Sequence, residues 1–501
     1  MSESGLPKGW VETTLGGVAR LNPPKPSSQE LADDTPVSFL PMAAVEVGTG
    51  KMDVSQTRFW REVRKGYTSF RENDVLFAKI TPCMENGKHA VAKGLRGGYG
   101  AGSTEFHVLR AEEGVEPRLL LYFVHQESFR REARGAMQGA AGQLRVPESF
   151  LTEAPFLLPP FPEQHRIVDE IEKQFSRLDA GVAALKRTRV NLKRYRASVL
   201  QAACEGRLVP TEAELSRSLT INQQPTTINR PYEPASALLE RILAERRSRW
   251  NGRGTYKEPA PPDASDLPEL PEGWCWATLD QISTFVTSGS RGWAQFYASD
   301  GAQFLRIGNL DHASITLDLR DVQCVCPPAA AEASRTRVRL GDLLVSITAD
   351  LGMVALVDRD LGEAYINQHI ALVRSVDGVE RTYVAWFLAS EAGGQRQFQS
   401  MKRGATKIGL GLDDIRSVLV PLPPLAEQHR IVAEVERRLS VIDQLESVSE
   451  TNLKRAERLR QAILKRAFEG KLVPQDPNDE PAGVLLERIR ADKEVNNTRV
   501  V

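Results

Sequence analysis

Three motifs each occur twice in this sequence, and this repetition limits the possible folds more than any other property of the chain. They are EQHRIV at 163–168 and 427–432, EGRLVP and EGKLVP at 205–210 and 469–474, and LPKGW and LPEGW at 6–10 and 270–274. All three pairs have the same spacing, the one from Glu163 to Glu427, which we call the repeat offset. A common offset indicates that one module has been duplicated within the chain. Between the shared motifs the two copies diverge almost completely, which is typical of one framework that carries two different recognition surfaces.

The size and composition of the chain fit such a duplication. With 501 residues, two to four domains are expected, and 41% hydrophobic residues are enough to give each domain a core. The 65 basic residues are balanced by 65 acidic residues, so the total charge does not indicate a nucleic-acid-binding protein. A neutral total can still contain local basic surfaces, and these matter more for binding.

The cysteines show no metal-binding pattern. The five of them, Cys83, Cys204, Cys275, Cys324 and Cys326, are scattered and lack the paired CxxC spacing of a zinc site. We interpret the close spacing of the last two as incidental and predict no metal site. No apolar run approaches the roughly 18 residues that span a bilayer, and the polar N-terminal segment has no signal-peptide core. We therefore expect a soluble, cytoplasmic protein.

The duplicated motifs divide the chain into segments of two kinds. Mixed domains contain short β-rich runs interrupted by Gly and Pro, and each is followed by a long helical segment. The predicted segments are a first mixed domain at 1–160, a long helix at 161–210, a connector with a short helix and a proline-rich linker at 211–270, a second mixed domain at 271–424, a second long helix at 425–474, and a tail with a short helix at 475–501. The predicted fold class is α+β, with an internal pseudo-twofold repeat.

Apolar residues in the two long helical segments recur at alternating spacings of four and three. Of eleven such positions, nine are apolar in the first copy and eight in the second. A seam sustained over several heptads predicts coiled-coil helices. Prolines predict that these helices begin near Glu163 and Glu427, and Gly206 and Gly470 predict their ends. The seam residues are Ile171, Phe175, Leu178, Val182, Leu185, Leu192, Val435, Leu439, Ile442, Leu453 and Ile463.

The distribution of charge along the helical segments predicts how they pair. Residues 161–180 contain five acids and three bases, whereas residues 183–204 contain six bases and no acid. The second helix repeats this order, with five acids and three bases in 425–446 and six bases and two acids in 447–468. Antiparallel packing places each acidic half beside a basic half. Exposed ion pairs contribute only about 0.2–1 kcal/mol each, so the apolar seam must drive association while charge selects the direction.

The motifs and their order resemble the specificity subunit of a type I restriction-modification system. The resemblance rests on PLPPLAEQHRIV at 421–432, the long heptad helix, RQAILKRAFEGKLVPQDPNDEPA at 460–482 and the two-copy layout, and it covers essentially the whole chain. It implies two target-recognition domains, each of which recognises one half of a split double-stranded DNA sequence. It implies two methyltransferase subunits and restriction subunits as partners. S-adenosylmethionine would then be bound by the methyltransferase and ATP and Mg by the restriction subunit, with no cofactor in this chain.

A search for catalytic motifs favours a non-catalytic chain. NPPK at 22–25 is similar to an amino-methyltransferase loop, but it lacks the aromatic residue that stacks on a flipped base, so a proline-rich turn is favoured. Three Gly-Lys pairs are not followed by Ser or Thr, so a phosphate-binding P-loop is absent. EGK at 469–471 could suggest a nuclease site, but the other copy has Arg207 at this place. We interpret His165 and His429 as capping or interface residues.

Candidate DNA contacts lie in the divergent, glycine-rich loops. Basic side chains position a protein on phosphates, and bidentate Arg, Lys, Asn or Gln contacts recognise base edges. The candidates are Lys79, Lys88, Gln143 and Arg145 in the first mixed domain, and Arg291, Trp293, Lys402, Arg403, Thr406 and Lys407 in the second. Isolated surface cations are usually only solvated, and Trp293 could be a core residue. Trp10 and Trp274, which both copies share, are predicted to be core anchors.

Two other classes of function remain compatible with the sequence. A coiled-coil scaffold without DNA specificity would explain the helices and the repeat, but not the divergent basic loops. A fused modification enzyme would require the cofactor loop that the sequence lacks. We therefore favour two antiparallel helices that hold two unlike DNA-recognition domains at a set separation.

Overall fold

The computed structural model of the protein describes residues 6–140, 142–222, 232–250, 255–263, 265, 267–289, 291–328, 331–402 and 409–498. The chain divides into two compact units, one made of residues 1–186 and 450–501 and the other of residues 187–449. Each unit contains one mixed domain and one half of each long helix. None of the described helices combines the length and the apolar character that are needed to cross a membrane.

The mixed domain of the first unit is built from short strands and short helices. The strands are β1 (Val11–Thr14), β2 (Ala19–Leu21), β3 (Pro36–Leu40), β4 (Thr57–Phe59), β5 (Thr68–Arg71), β6 (Val75–Ala78), β7 (His89–Val91), β8 (Tyr99–Gly102), β9 (Phe106–Ala111) and β10 (Pro155–Leu158). The helices are α1 (Leu15–Val18), α2 (Trp60–Val63), α3 (Pro117–Val124), α4 (Glu127–Gly135) and α5 (Glu148–Glu153). Strands β1 and β10 pair, and two further sheets have the orders β2-β9-β6-β7 and β4-β3-β8-β5.

The first long helix, α6 (Phe161–Cys204), begins two residues before the predicted position. Its first half packs on the mixed domain of the first unit. Ile167 and Ile171 of α6 belong to the same buried cluster as Leu119 of α3 and Phe77 of β6. Burying such side chains stabilises the folded state by about 1.5–3 kcal/mol each. The domain and the helix therefore share one core.

The second unit contains the connector and the second mixed domain. After α7 (Glu212–Asn222) and α8 (Ala235–Ser248), its strands are β11 (Cys275–Thr278), β12 (Ser283–Ser288), β13 (Tyr297–Ala298), β14 (Ala302–Leu305), β15 (Gln323–Val325), β16 (Asp342–Ser346), β17 (Val354–Leu356), β18 (Ala364–Ile366), β19 (Ile370–Ser375) and β20 (Leu419–Leu422). Its other helices are α9 (Ala331–Thr336), α10 (Arg381–Ala389), α11 (Arg396–Ser400) and α12 (Leu412–Arg416). The sheets are β11-β20, β12-β19-β16-β17 and β13-β15-β14-β18. The second long helix, α13 (Leu425–Phe468), is divided between the two units, and the tail helix α14 (Ala482–Thr498) belongs to the first unit.

The two mixed domains share most of their strand topology despite their divergent sequences. Val11 of β1 lies opposite Leu158 of β10, and Cys275 of β11 lies opposite Leu422 of β20, so both members of the pair keep the repeat offset. Strand β3 runs parallel to β8, and β14 runs parallel to β18 in the same way. The second domain adds the short strand β13 beside β15, and a single bridge between Arg337 and Tyr365 stands where β5 pairs with β8 in the first domain. Duplication therefore extends through the interior of the module.

A buried ion pair occurs at the same place in both domains. Arg110 donates from Nε and Nη2 to the two oxygens of Asp74 at 2.8 and 2.7 Å. Arg374 donates to Asp342 in the same bidentate manner at 2.7 and 2.6 Å. Both aspartates are almost fully buried. Removing one partner of such a pair leaves an uncompensated charge in the interior, so the pair fixes strand β6 or β16 beside β9 or β19.

The glycines that end the long helices also explain why the three framework motifs occur together. Gly206 and Gly470 have φ angles of +68° and +66°, which a glycine adopts without strain. A Cβ at Gly206 would lie 2.5 Å from Pro271, and one at Gly470 would lie 2.5 Å from Pro7. The end of each long helix thus packs on the LPxGW segment of the domain in its own unit.

The long helices pair in antiparallel directions, as the charge distribution predicts. In the first unit, Asp179 in the acidic half of α6 pairs with Arg460 in the basic half of α13. In the second unit, Arg196 in the basic half of α6 pairs with Asp443 in the acidic half of α13. From Asp179 to Arg196 the residue number rises along α6, while their partners go from Arg460 down to Asp443 along α13. The predicted fold class is therefore confirmed.

The predicted seam is buried most completely where the helices meet the mixed domains. Seven of its residues are buried, namely Ile171, Phe175, Leu192, Val435, Leu439, Ile442 and Ile463. Leu178, Val182, Leu185 and Leu453, which lie between these buried groups along the helices, are half-buried. The seam is therefore weakest in the middle of each helix.

Candidate nucleic-acid interface

Three of the DNA-contact candidates of the first domain lie side by side at the end of β6. Ile80 forms an isolated backbone β-bridge with Arg145, and Arg145 forms a second backbone β-bridge with Gln138. Val146 donates its backbone N–H to the carbonyl oxygen of Lys79 at 2.9 Å. Lys79, Gln143 and Arg145, which are far apart in the sequence, are thus gathered at one edge of the sheet. Gln143 is exposed, and the other two are half-buried.

Arg145 is held by a carboxylate that the sequence analysis did not identify. Its Nε and Nη2 atoms donate to the two oxygens of Glu105, each at 2.8 Å. This hydrogen-bonded guanidinium holds the pKa of Glu105 below its usual range. The ion pair lowers the net positive charge here and fixes the direction of the Arg145 side chain. Its Nη1 atom also donates to the Gln143 carbonyl oxygen at 3.2 Å, so three hydrogen bonds within the protein hold this guanidinium in place.

The buried side chain of His107 contacts two segments of the chain at this edge. His107 lies with Nε2 2.9 Å from the carbonyl oxygen of Val146 and Nδ1 3.0 Å from the Asn22 amide nitrogen. Burial lowers the pKa of His107, which keeps the ring neutral near pH 7. Asn22 also donates to Glu148 at 2.7 Å, so its amide is engaged in structural contacts. These contacts give Asn22 a structural role in this domain.

Lys88 lies at the other end of the loop that joins β6 to β7. Its ammonium group donates to the backbone carbonyl of Met42 at 3.2 Å, and the side chain is half-buried. Lys79 and Lys88 are therefore the first and last residues of the ten-residue loop at 79–88. Lys88 is partly engaged by the protein itself, so Lys79 is the more available of these two cations.

The second domain has the same arrangement at the end of β16. Thr348 forms a bridge with Gly409, just as Ile80 does with Arg145, and Gly409 corresponds to Arg145 at the repeat offset. Lys402 is exposed. Arg403, Thr406 and Lys407 lie outside the described residues. In sequence they correspond to the segment of the first domain that contains Gln143.

The two remaining candidates of the second domain differ in exposure. Arg291 is exposed, and nearby Gly289 donates its N–H to Ile370 at 3.0 Å, which brings this segment to the loop between β18 and β19. Trp293 is only 3% exposed, and its ring stacks on Phe304 with centroids 5.5 Å apart. The structure thus places Trp293 in the core, where its ring cannot stack on a base.

The β8–β9 and β18–β19 loops contain side chains that the sequence analysis missed. Glu105 of the first domain corresponds to His369 of the second, again at the repeat offset. His369 contacts the hydroxyl of Thr348, and its Nε2 lies 3.2 Å from the Gln368 amide nitrogen. Each domain thus places a different polar side chain at one position of the same edge. Only the repeat offset could have revealed this correspondence in the sequence.

The EQH part of the EQHRIV motif connects each long helix to its mixed domain. Gln164 accepts a hydrogen bond from the backbone N–H of Glu116 at 2.9 Å, and Gln428 accepts one from Glu380 at 2.8 Å. His165 Nδ1 lies 3.3 Å from Glu116, and the corresponding distance from His429 to Glu380 is 3.1 Å. These contacts hold the starts of α3 and α10, so both histidines are interface residues.

The glutamates of this motif lie beside the shared tryptophans. Glu427 accepts a hydrogen bond from Trp274 Nε1 at 2.9 Å. Glu163 is buried with Trp10 at the corresponding place. Burial raises the pKa of Glu163 and of Glu427, and at Glu427 the hydrogen bonds from the Glu212 backbone N–H and from Trp274 oppose the rise. Both tryptophans are buried, as expected for framework anchors.

The described residues offer little for metal or nuclease chemistry. Within the described ranges, no three His, Cys, Asp or Glu side chains are grouped so as to hold a metal ion. Lys471 donates to Glu469 at 2.9 Å in an exposed pair at the end of α13. A neighbouring ion pair at a helix end is a structural feature, which accounts for the EGK sequence.

Comparison with known proteins identifies relatives of this chain. A family model described as the type I restriction modification DNA specificity domain matches residues 7–188 and 329–454. The EcoAI specificity subunit of Escherichia coli is 27% identical over 496 residues, a match that covers 89% of this chain and 80% of that subunit. The EcoKI specificity subunit of Escherichia coli K12 is 24% identical over 519 residues, with 98% and 97% covered.

Solved structures show the same fold. A chain from a structural study of complex assembly and conformational transition in the type I R-M system has a TM-score of 0.65 and 22% identity, covering 93% of this chain and 99% of that one. The HsdS subunit of Thermoanaerobacter tengcongensis has a TM-score of 0.50 and 21% identity, covering 93% and 98%. Because the family model matches more than half of the residues, this chain belongs to the family of type I restriction-modification DNA specificity proteins.

Proposed function

We propose that the protein is the non-catalytic specificity subunit of a type I restriction-modification complex and that it recognises a bipartite DNA sequence. Each mixed domain would recognise one half through the edge at the end of β6 or β16. One observation carries this proposal above all: the two domains share a fold and a buried ion pair, yet place different polar side chains at corresponding edges. Two unlike surfaces on one framework suit a sequence with two unlike halves.

The proposed partners are two methyltransferase subunits, with restriction subunits joining through them. S-adenosylmethionine would then belong to the methyltransferase, and ATP and Mg to the restriction subunit. Since these partners act with the protein on cellular DNA, we place it in the cytoplasm. The direct test is co-expression with a methyltransferase subunit, followed by mapping of methylated adenines. A split sequence supports the proposal, and methylation without sequence preference contradicts it.

An exposed apolar stripe on α13 supports a protein partner for the long helices. Val441, Leu445 and Val448 are 48%, 45% and 49% exposed, and their spacing of four and three places them on one face. Val190 and Tyr195 of α6, in the same unit, are also exposed. Contiguous exposed apolar side chains mark interaction surfaces. We assign this stripe to a methyltransferase subunit.

A charged side chain at Val448 should disrupt this stripe. We expect Val448→Glu to weaken methyltransferase binding about tenfold or more, because a charge would be buried without a partner in an apolar interface. Binding of the purified methyltransferase subunit can be measured by biolayer interferometry. Val47→Glu is the matched control, since Val47 is 53% exposed in a loop of the first domain. Equal losses in the two variants would show that the stripe has no special role.

Gln143 and Lys79 should have different roles at the recognition edge of the first domain. We expect Gln143→Ala to relax one base position in one half of the methylated sequence, because a lost bidentate contact costs about 1–3 kcal/mol of discrimination. Lys79→Ala should instead weaken binding to all sequences alike and reduce its salt dependence. Methylation mapping and binding at several salt concentrations measure these effects.

Lys402→Ala provides the comparison in the second domain. It should leave the half recognised by the first domain unchanged. If Gln143→Ala altered both halves together, the assignment of one half to each domain would be wrong.

Two observations would favour another class of function. A coiled-coil scaffold would bind a methyltransferase subunit without making its methylation sequence-selective. An enzyme would transfer methyl groups as the lone chain in the presence of S-adenosylmethionine. Both outcomes are directly measurable in the co-expression and single-chain assays.

A further inference from the structure

A basic cavity lies in the second unit between the connector and the second mixed domain. Its volume is about 730 Å³, which is within the range of small-molecule sites. One wall is formed by the end of α8 and residues 255–257, and the other by the starts of β16 and α10 and the end of β19. The cavity lies at the start of β16, whereas the proposed DNA-recognition edge lies beyond its end.

The lining of this cavity has an excess of positive charge. Six lining residues are basic and three are acidic. The basic residues are Arg246, Arg249, Lys257, Arg339, Arg374 and Arg381. Arg374 is neutralised by buried Asp342, Arg246 pairs with Asp280 at 3.3 Å, and Arg249 and Arg381 share Asp377 at 3.3 and 3.6 Å. Within the described part of the chain, Arg339 and Lys257 have no carboxylate within 4 Å, so two cations are available to an anion.

Two hydroxyl groups in the lining also lack partners. Ser375 is 6% exposed, and its buried Oγ has no hydrogen-bond partner among the described residues. The buried hydroxyl of Tyr256 is likewise unpaired within the same described ranges. Buried polar groups are normally hydrogen-bonded, so unpaired ones that line a cavity indicate a polar ligand or water. Because Ser375 is almost fully buried, a ligand that reaches it must be small.

Exposed apolar side chains complete the cavity. Trp250 is 47% exposed and Leu340 is 59% exposed, and both line it. The indole of Trp250 meets the ring of Tyr256 edge-on, with centroids 5.7 Å apart. A flat aromatic group can stack on such an indole while an attached anion meets the arginines. A nucleoside phosphate has both of these features in one small molecule.

The first copy of the module does not retain the same chemistry. The backbone N–H of Arg71 donates to Asp74 as that of Arg339 donates to Asp342, so the two arginines correspond, but Arg71 pairs with Glu30 at 2.8 Å. At the repeat offset, Pro117 stands in place of Arg381 and Ala111 in place of Ser375. The available cation and the unpaired hydroxyl are therefore features of the second copy and not of the framework.

We propose that this cavity binds a mononucleotide, with the phosphate at Arg339 and Lys257 and the base on Trp250. The proposal is independent of the DNA-recognition role. A DNA duplex is too wide to reach Ser375 and would touch only the rim of the cavity. The site therefore suits a free nucleoside phosphate better than the backbone of bound DNA.

Calorimetric titration of the full chain with adenosine monophosphate tests the proposal. We expect saturable binding at one site, with adenosine and inorganic phosphate each binding more weakly. Arg339→Glu and Lys257→Glu should each weaken adenosine monophosphate binding about tenfold or more, since a charge-assisted hydrogen bond is lost and repulsion is added. Trp250→Ala should weaken adenosine monophosphate binding but leave phosphate binding unchanged.

Arg359→Glu is the control, because Arg359 is an exposed arginine of the same domain outside the cavity. It should change the affinity less than twofold. Lack of saturation at millimolar adenosine monophosphate would overturn the proposal, as would equal effects of Arg339→Glu and Arg359→Glu. If duplex DNA competed with adenosine monophosphate and Arg339→Glu weakened DNA binding equally, the cavity would belong to the DNA path and the proposal would be wrong. The methylation map of the complex is a separate measurement, so failure here is distinguishable from failure of the proposed specificity role.

Discussion

Deleting one heptad from each long helix should abolish methylation at the original DNA sequence. The matched segments are 182–188 of α6 and 451–457 of α13, which face each other if the register of the Asp179–Arg460 pair continues. The deletion removes Val182, Leu185 and Leu453, which are only half-buried, so the better-buried ends of the seam are retained. It also preserves the alternation of four and three. The variant should therefore fold and still bind its partners.

The expected loss follows from the geometry of the two helical molecules. Seven residues shorten an α-helix by about 10 Å, which corresponds to about three base pairs of DNA. Over three base pairs DNA turns by about 100°, whereas one heptad changes the direction of a helix face by only about 20°. The second domain would then meet its half-sequence at the wrong distance and on the wrong face. Losing the base contacts of one half should lower methylation at the original sequence by about a hundredfold or more.

Methylation mapping of the co-expressed complex measures this effect. Any remaining specific methylation should occur at sequences with a shorter gap. The control replaces the same two heptads by others of equal length and pattern, which should preserve the original gap. Methylation of the original sequence at its normal gap and efficiency by the deletion variant would show that helix length does not set the separation.

The features that could be predicted from the sequence are those with a local or repeated pattern. The heptad spacing of Ile171 and Phe175 predicts the seam, and the separation of acids from bases predicts the antiparallel pairs of Asp179 and Arg196. Gly206 marks a helix end because a positive φ favours glycine. Each of these signals lies within a few turns of one helix, so no knowledge of tertiary contacts is needed.

The interior of the mixed domains could not be predicted in the same way. The Asp74–Arg110 pair recurs as Asp342–Arg374, but only the arginines keep the repeat offset, because the second domain has four fewer positions between its aspartate and its arginine. Because of these four missing positions, a search with the repeat offset alone does not align Asp74 with Asp342. Sheet neighbours such as β6 and β9 are also distant in sequence, so their pairing leaves no local periodicity.

The sequence predicts the candidate site only in part, because its side chains come from loops that are distant in sequence. Residue type and loop context predict Lys79 and Arg145 as DNA contacts, and the structure places them together at one edge. Glu105, which orients Arg145, is contributed by another loop and carries no signal of its own. Trp293 shows the opposite limitation, because an aromatic residue in a glycine-rich loop can be either a stacking surface or a core residue. Burial decides between these, and burial depends on contacts distant in sequence.

Replacing Trp274 by alanine should strongly destabilise the second unit. Trp274 is 8% exposed, and its ring lies against Gly206, where a Cβ would be 3.0 Å from the ring. Truncating a buried tryptophan costs about 3–5 kcal/mol. The change also removes the Nε1 donor from fully buried Glu427, which would retain the backbone N–H of Glu212 at 3.0 Å. Leaving part of this carboxylate without a donor adds about 1–3 kcal/mol.

The loss of indole packing and the loss of the hydrogen bond to Glu427 should differ in their dependence on pH. Burial already raises the pKa of Glu427, and the hydrogen bond from Trp274 opposes the rise, so losing that bond raises the folded-state pKa further. The folded variant then binds a proton more readily than the unfolded chain does. The carboxylate penalty is therefore absent below the unfolded pKa of about 4.3 and develops as the pH rises towards the folded value. The cost of the cavity left by the indole should not change with pH.

Guanidinium unfolding of the full chain at pH 4.5 and pH 7.5, followed by circular dichroism, separates the two contributions. Trp274→Phe is the matched variant, since it keeps most of the buried volume but lacks the donor. Trp274→Phe should lower the free energy of unfolding less than Trp274→Ala does. Most of its effect should depend on pH, because it comes from the lost hydrogen bond to Glu427. If Trp274→Phe were as stable as the parent chain at pH 7.5, the hydrogen bond to Glu427 would contribute nothing measurable. The shared tryptophan would then anchor the end of α6 through packing alone.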